Sequence, residues 1–146
     1  MDQNYNLNDV AMMTGFSTRT LRSYLSQGLL KGTKSNGVWS FSPEDLDSFF
    51  REPFVREGLR IKRNSIVFDF MSARNEKSPR SCVILDIPCS VSEGNKISGF
   101  FCDEMKLVKD VIFSYGWSNG VCRVILNGAE DQVARIMNDY HSVSNA

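Results

Sequence analysis

Residues 8–30 read Asn8-Asp9-Val10-Ala11-Met12-Met13-Thr14-Gly15-Phe16-Ser17-Thr18-Arg19-Thr20-Leu21-Arg22-Ser23-Tyr24-Leu25-Ser26-Gln27-Gly28-Leu29-Leu30. Two short helices are written here. Asn8 is placed to cap the first, with Asp9 in its first turn, where a carboxylate suits the positive end of the helix dipole. Thr14-Gly15 stops it, because glycine accepts the left-handed conformation that ends a helix. Ser17 caps the second helix, which runs from Thr18 to about Gln27 and closes at Gly28. Leu21 and Leu25 stand one turn apart and face a core, while Arg19 and Arg22 share another, exposed face. Two helices joined by a tight turn containing glycine form a helix-turn-helix pattern. By pattern alone it is also compatible with a purely structural helical hairpin.

The following residues extend the motif. Lys31-Gly32-Thr33-Lys34-Ser35-Asn36-Gly37 is a basic turn segment, and Asn36-Gly37 is a hairpin dipeptide. Val38-Trp39-Ser40-Phe41 alternates as a short strand. Ser42-Pro43-Glu44-Asp45 carries the cap, the first-position proline and the first-turn acids of a third helix, whose apolar face is Leu46, Phe49 and Phe50. A basic helix followed by a basic hairpin offers donors to base edges and to phosphates.

Tyr5 to Phe50 resembles the DNA-binding domain of the MerR family and the related excisionase-type winged domains. The resemblance rests on Leu7-Asn8-Asp9-Val10-Ala11, on Gly15-Phe16-Ser17-Thr18-Arg19-Thr20-Leu21-Arg22-Ser23-Tyr24, on Gly28-Leu29-Leu30 and on Phe41-Ser42-Pro43-Glu44-Asp45-Leu46. It implies that Ser17, Thr18 and Arg19 begin a recognition helix that enters the major groove. It implies that Arg22 and Tyr24 touch mainly the DNA backbone, and that Lys31 and Lys34 lie in or beside the wing. Two departures stand out. The family's wing arginine is replaced by Trp39, which is closer to the excisionase type and reads as a core or wing-base residue, and the proline expected after Gly-Leu-Leu-Lys is Gly32. Both bear on the wing contacts and on the promoter untwisting typical of MerR activators.

Net charge is zero, with 17 basic and 17 acidic residues, but the charge is unevenly distributed. Between Asp9 and Glu44 stand Arg19, Arg22, Lys31 and Lys34 and no acid, whereas residues 79–146 hold six basic and eight acidic residues. A local basic patch on a neutral protein suits a small DNA-reading surface. Composition is globular, and no apolar run reaches the length of a membrane span. The start, Met1-Asp2-Gln3-Asn4, lacks the order of a secretory signal, which points to the cytoplasm. Cys82, Cys89, Cys102 and Cys122 match no zinc spacing and read as buried small hydrophobes. His141 has no acid–base partner in view, and neither a nucleophilic triad nor a phosphate-cradling glycine loop is legible. The expectation is a non-enzyme without a cofactor.

Beyond Pro53, residues 54–74 read as a longer helix with Val55, Leu59, Lys62, Ile66 and Phe70 on one stripe, widened by Phe68 and Met71. The resemblance implies that this helix pairs two subunits; by pattern alone it packs equally well on its own chain. Residues 75–79 read as a linker. The remainder reads as Cys82–Ile87 strand, Ser92–Lys109 helix, Val111–Tyr115 strand, Val121–Leu126 strand and Ala129–Tyr140 helix. This βαββα order suggests a small sandwich like an incomplete ferredoxin-like unit, with open sheet edges. The expected fold class is therefore α+β: a winged helix-turn-helix domain over 1–53, a connecting and dimerisation helix with linker over 54–78, and a sensor or oligomerisation domain over 79–146. Phe101, Tyr115 and Trp117 are candidates to line a ligand pocket, although ordinary core is the plainer reading. The leading functional expectation is a bacterial or phage-type transcription regulator that binds double-stranded DNA as a homodimer, with a small-molecule effector as a candidate partner. An excisionase-like architectural protein and an adaptor that has lost DNA binding are the alternatives.

Overall fold

The computed structural model describes residues 4–74 and 77–144. Helix α1 (Leu7–Thr14) is capped by Asn6, not by Asn8. The Asn6 side chain accepts from the Asp9 amide at 2.8 Å, and the Asp9 carboxylate accepts from the Asn6 amide at 3.0 Å. This reciprocal box needs an acid three residues after the cap, and Asp9 satisfies that spacing only from Asn6. Gly15 ends α1 at φ 80°. Helix α2 (Thr18–Gln27) begins at its Ser17 cap and ends at Gly28, as the sequence predicts. The hairpin follows: β1 (Thr33–Ser35) pairs antiparallel with β2 (Val38–Ser40) across Asn36 and Gly37, both at positive φ. Helix α3 (Pro43–Arg51) carries a second capping box, Ser42 with Asp45.

Phe49 of α3 is fully buried, and its ring meets those of Phe16, Tyr24 and Phe50. It ties α2 to α3. Phe49→Ala is therefore expected to cost about 3–5 kcal/mol, seen as a lower urea midpoint with an unchanged m-value.

Helix α4 (Pro53–Ser72) carries two apolar faces. Val55 and Leu59, read from the sequence as part of a pairing stripe, are buried within the chain itself. Ile66 and Phe70 are half-buried, and the Lys62 stem lies near Gly15. A different stripe faces outward: Phe54, Ile61 and Phe68, spaced by sevens, with Met71 beside them. Ile61 is 58% exposed, Phe68 68% and Met71 74%. Of the expected linker, residues 75–76 lie outside the described residues.

The remaining elements are β3 (Arg80–Pro88), α5 (Val91–Met105), β4 (Val111–Ser118), β5 (Val121–Ala129) and α6 (Glu130–Ser144). The sheet order is β3-β5-β4, antiparallel throughout. This is the expected βαββα unit with β5 inserted between the strands that α5 joins. The expectation that β4 ends at Tyr115 is corrected: the strand continues through Gly116 and Trp117, and the turn is Asn119-Gly120, both at positive φ. The two-residue turn sets the register that pairs Trp117 with Cys122.

Strand alternation gives the sheet two different faces. Phe113 of β4 stacks on Phe101 of α5, while Cys122, Val124 and Leu126 of β5 are buried. The opposite face carries Gly116 and Asn127 and meets α4: the Asn127 amide donates to the Ile66 carbonyl at 3.4 Å. The sheet thus lies between α4 and the α5–α6 layer.

The N-terminal elements share a continuous apolar core with this unit. The Tyr5 hydroxyl donates to the Asn95 carbonyl at 3.0 Å, and the Ser98 hydroxyl contacts the Met13 sulfur at 3.0 Å. Lys106 lies 3.7 Å from Asp9. The α1 side of the helix-turn-helix is therefore occupied by the sheet unit.

One carboxyl in this half is out of its usual range. Glu104 of α5 is buried, and its Oε1 has no hydrogen-bond partner among the described residues. Burial first, then the Asp139 carboxyl of α6, and lastly Asp103, push it up to about 7, against a smaller opposing effect of Arg135. The folded pKa lies above the unfolded one, so the native state holds the extra proton between about pH 4.5 and 7. Stability is expected to fall as pH rises through that window. A thermal melt should show a higher Tm at pH 5 than at pH 8, and Glu104→Gln should flatten the difference and raise Tm at pH 8.

Candidate nucleic-acid interface

Helix α2 projects its polar side away from the sheet unit. Ser17 accepts from the Thr20 amide at 3.1 Å, and its hydroxyl donates to Thr20 Oγ1 at 3.0 Å. The cap leaves Ser17 exposed and Thr18 half-buried at the leading end of the helix. Arg19 and Arg22 are exposed on α2, which contains no acid, and neither has an ion-pair partner among the described residues. In the interior, Leu21 is fully buried and Leu25 half-buried. Leu21 thus anchors the helix while the arginines stand free.

Tyr24 has a packing role. Its ring is edge-on to Phe16 at 5.6 Å and to Phe54 at 6.1 Å, and it tilts against Phe49 at 5.9 Å. Whatever its hydroxyl touches, the ring sets the seat of α2 on α3 and α4. Ser23 lies on the same helix as the two arginines. It is exposed one turn after Arg19 and accepts from the Gln27 side-chain amide at 2.9 Å.

In the hairpin, Lys31 and Lys34 are exposed. The Lys34 ammonium sits 5.6 Å above the Trp39 ring, and Trp39 stacks on the buried Phe41 at 6.1 Å. Trp39 is therefore a base for the hairpin that steadies a lysine. This arrangement also accounts for Gly32: a Cβ there would come within 2.6 Å of the Phe41 ring and 2.8 Å of the Ser40 carbonyl. A proline at this position would have no room.

The basic residues read from the sequence thus fall on α2 and on the chain that leads from it into the hairpin. Residues 5–49 match the family model described as MerR HTH family regulatory protein. The N-terminal segment is a MerR-like helix-turn-helix domain. This match spans α1, α2, the hairpin and most of α3, so the likeness covers the N-terminal segment alone. No curated protein and no solved structure matches the chain.

The residues expected to line a ligand pocket do not converge. Phe101 is fully buried, stacked on Phe113 at 6.0 Å and on Tyr140 at 5.4 Å. Tyr115 is buried, and its hydroxyl donates to the Gly94 carbonyl at 2.9 Å. Burial, with smaller effects from nearby thiols, raises its phenol far above the usual range. Tyr115 and Trp117 border a cavity of about 20 Å³ where α3 meets α5. That is room for about one water. The thiols of Cys102 and Cys122 are buried and pushed up to about 12, chiefly by burial, so they remain protonated at neutral pH. Among the described residues, no helix is long and apolar enough to cross a membrane.

Proposed function

We propose that the chain is a sequence-specific DNA-binding regulator of MerR type, cytoplasmic and without enzymatic activity, that acts as a homodimer. The observation that carries this reading is the pair Arg19 and Arg22, exposed and unpaired on an acid-free helix beside the lysines of the hairpin. In this reading Ser17, Thr18 and Arg19 reach base edges in the major groove. Arg22, Lys31 and Lys34, with the Tyr24 hydroxyl, hold the phosphate backbone and fix the register. The outward stripe of α4 supports pairing of two copies, because large apolar side chains at seven-residue spacing suit a helix–helix seam. Residues 79–144 then serve as a sensing or oligomerisation unit attached to the DNA-binding segment through the shared core.

Selection from a pool of random duplexes tests the reading. A regulator that pairs by two-fold symmetry selects an inverted repeat, since each recognition helix takes one half-site. Trp39 in place of the family's wing arginine favours a second reading, an architectural protein of excisionase type. That protein would bend its DNA at repeated, directly oriented sites. Selection of no sequence, together with no bending, contradicts both readings and favours an adaptor.

A further inference from the structure

Arg63 of α4 is a half-buried charge with no acidic partner among the described residues. Its guanidinium lies against Gly116 of β4, where an added Cβ would overlap it, so the missing side chain at 116 is what seats the arginine. Arg63 Nε is buried and has no hydrogen-bond partner among the described residues. Burial, and then the nearby Arg123 guanidinium, lower its pKa, yet an arginine remains charged at neutral pH. Arg63 lines a groove of about 800 Å³ between the first half of α4 and the β4–β5 end of the sheet. That volume falls in the range of small-molecule sites.

The charge around the groove is lopsided. Arg51, Arg56, Arg60, Arg63 and Arg123 border it, against Glu57 and Asp86. Glu57 pairs with Arg60, Asp86 holds Arg123 at 2.7 and 2.8 Å, and Arg51 pairs with Asp47 at 3.1 Å. Arg56 and Arg63 are left without an acidic partner among the described residues. Leu59, Pro53, Val121 and Trp117 supply apolar wall.

We propose that this groove binds a small, multiply charged oxyanion, a molecule bearing phosphate or carboxylate groups, with Arg63 and Arg56 as its ligands. Two planar guanidinium forks lining one groove, neither with an acidic partner among the described residues, suit such groups. The site spans α4 and the sheet, so a bound anion ties the helix leading from the DNA-binding segment to the C-terminal unit. That regulatory consequence rests on the proposed sensing role; the binding itself does not.

The test uses the full chain carrying Trp39→Phe, which leaves Trp117 as the only tryptophan. Its fluorescence is titrated with sodium pyrophosphate and with citrate at constant ionic strength, against a chloride control. A saturable change with at least one of the two anions is expected, with a Kd below about 1 mM. Arg63→Gln should weaken it about ten-fold or more, as should Gly116→Ala, whose Cβ displaces the guanidinium while the strand stays folded by circular dichroism. No saturable response to either anion overturns the proposal. So does a response that both variants leave unchanged. So does a loss of self-association in Arg63→Gln with anion binding intact, since a second copy would then be what answers Arg63. Anion binding that leaves DNA affinity unaltered upholds the site and removes the sensing role.

Discussion

Replacing Arg19 and Arg22 together by alanine should lower affinity for a selected operator by about 100-fold or more while leaving the thermal melt in place. Both side chains are exposed and have no ion-pair partner among the described residues, so their removal uncovers no core and strands no buried partner. The single variants should separate the two roles. If Arg22 holds phosphate as proposed, Arg22→Ala weakens binding to every duplex and makes the salt dependence shallower by about one unit of slope. If Arg19 reads a base as proposed, Arg19→Ala costs about 1–3 kcal/mol on the preferred site and much less on random DNA. Electrophoretic or anisotropy titrations on both kinds of duplex distinguish them. Equal losses everywhere for both variants would place Arg19 on the backbone as well.

Phe68→Glu should dissociate the proposed dimer and, with it, most operator binding. Phe68 is 68% exposed in the single chain, so a carboxylate there is solvated and the monomer keeps its fold. In a paired seam the same carboxylate is buried against apolar side chains without a partner. Linking two half-site modules raises affinity by about 10²–10⁴ without any new contact, and the variant forfeits that factor. Sedimentation velocity should show monomer for Phe68→Glu and dimer for Phe68→Leu. Dimeric Phe68→Glu would shift the interface to an open edge of the three-stranded sheet.

Local chemistry was the legible part of this chain. Ser17, Gly28, Pro43 and the pair Asn36-Gly37 mark their boundaries because a cap or a positive φ needs only its immediate neighbours. The basic face of α2 follows from the same short-range periodicity. Asn8 is the cap expected from the sequence, and the structure places the cap at Asn6. Asn6 and Asn8 are both good caps, and only the reciprocal bond with Asp9 selects Asn6. Gly116 looked like the start of a turn, but its role is to make room for Arg63 from another element. Helix α4 has two apolar faces, and periodicity cannot say which one its own sheet will cover. The arginine groove was not legible because it joins α4 to strands some 50 residues further along the chain. Its signal is a burial imbalance that exists only in the folded molecule.

The most direct measurement is the affinity of the full chain for a random-sequence duplex across a salt series, by fluorescence anisotropy, beside Arg22→Ala. If the α2–hairpin surface grips the backbone, log K falls linearly with log salt, steeply, at about −0.9 for each phosphate contact. The three side chains assigned to phosphate, Arg22, Lys31 and Lys34, then predict a slope of about −3 per subunit, shallower by about one unit in the variant. A well-folded protein that fails to bind at low salt, or that binds with a slope Arg22→Ala does not change, would contradict DNA recognition through this helix.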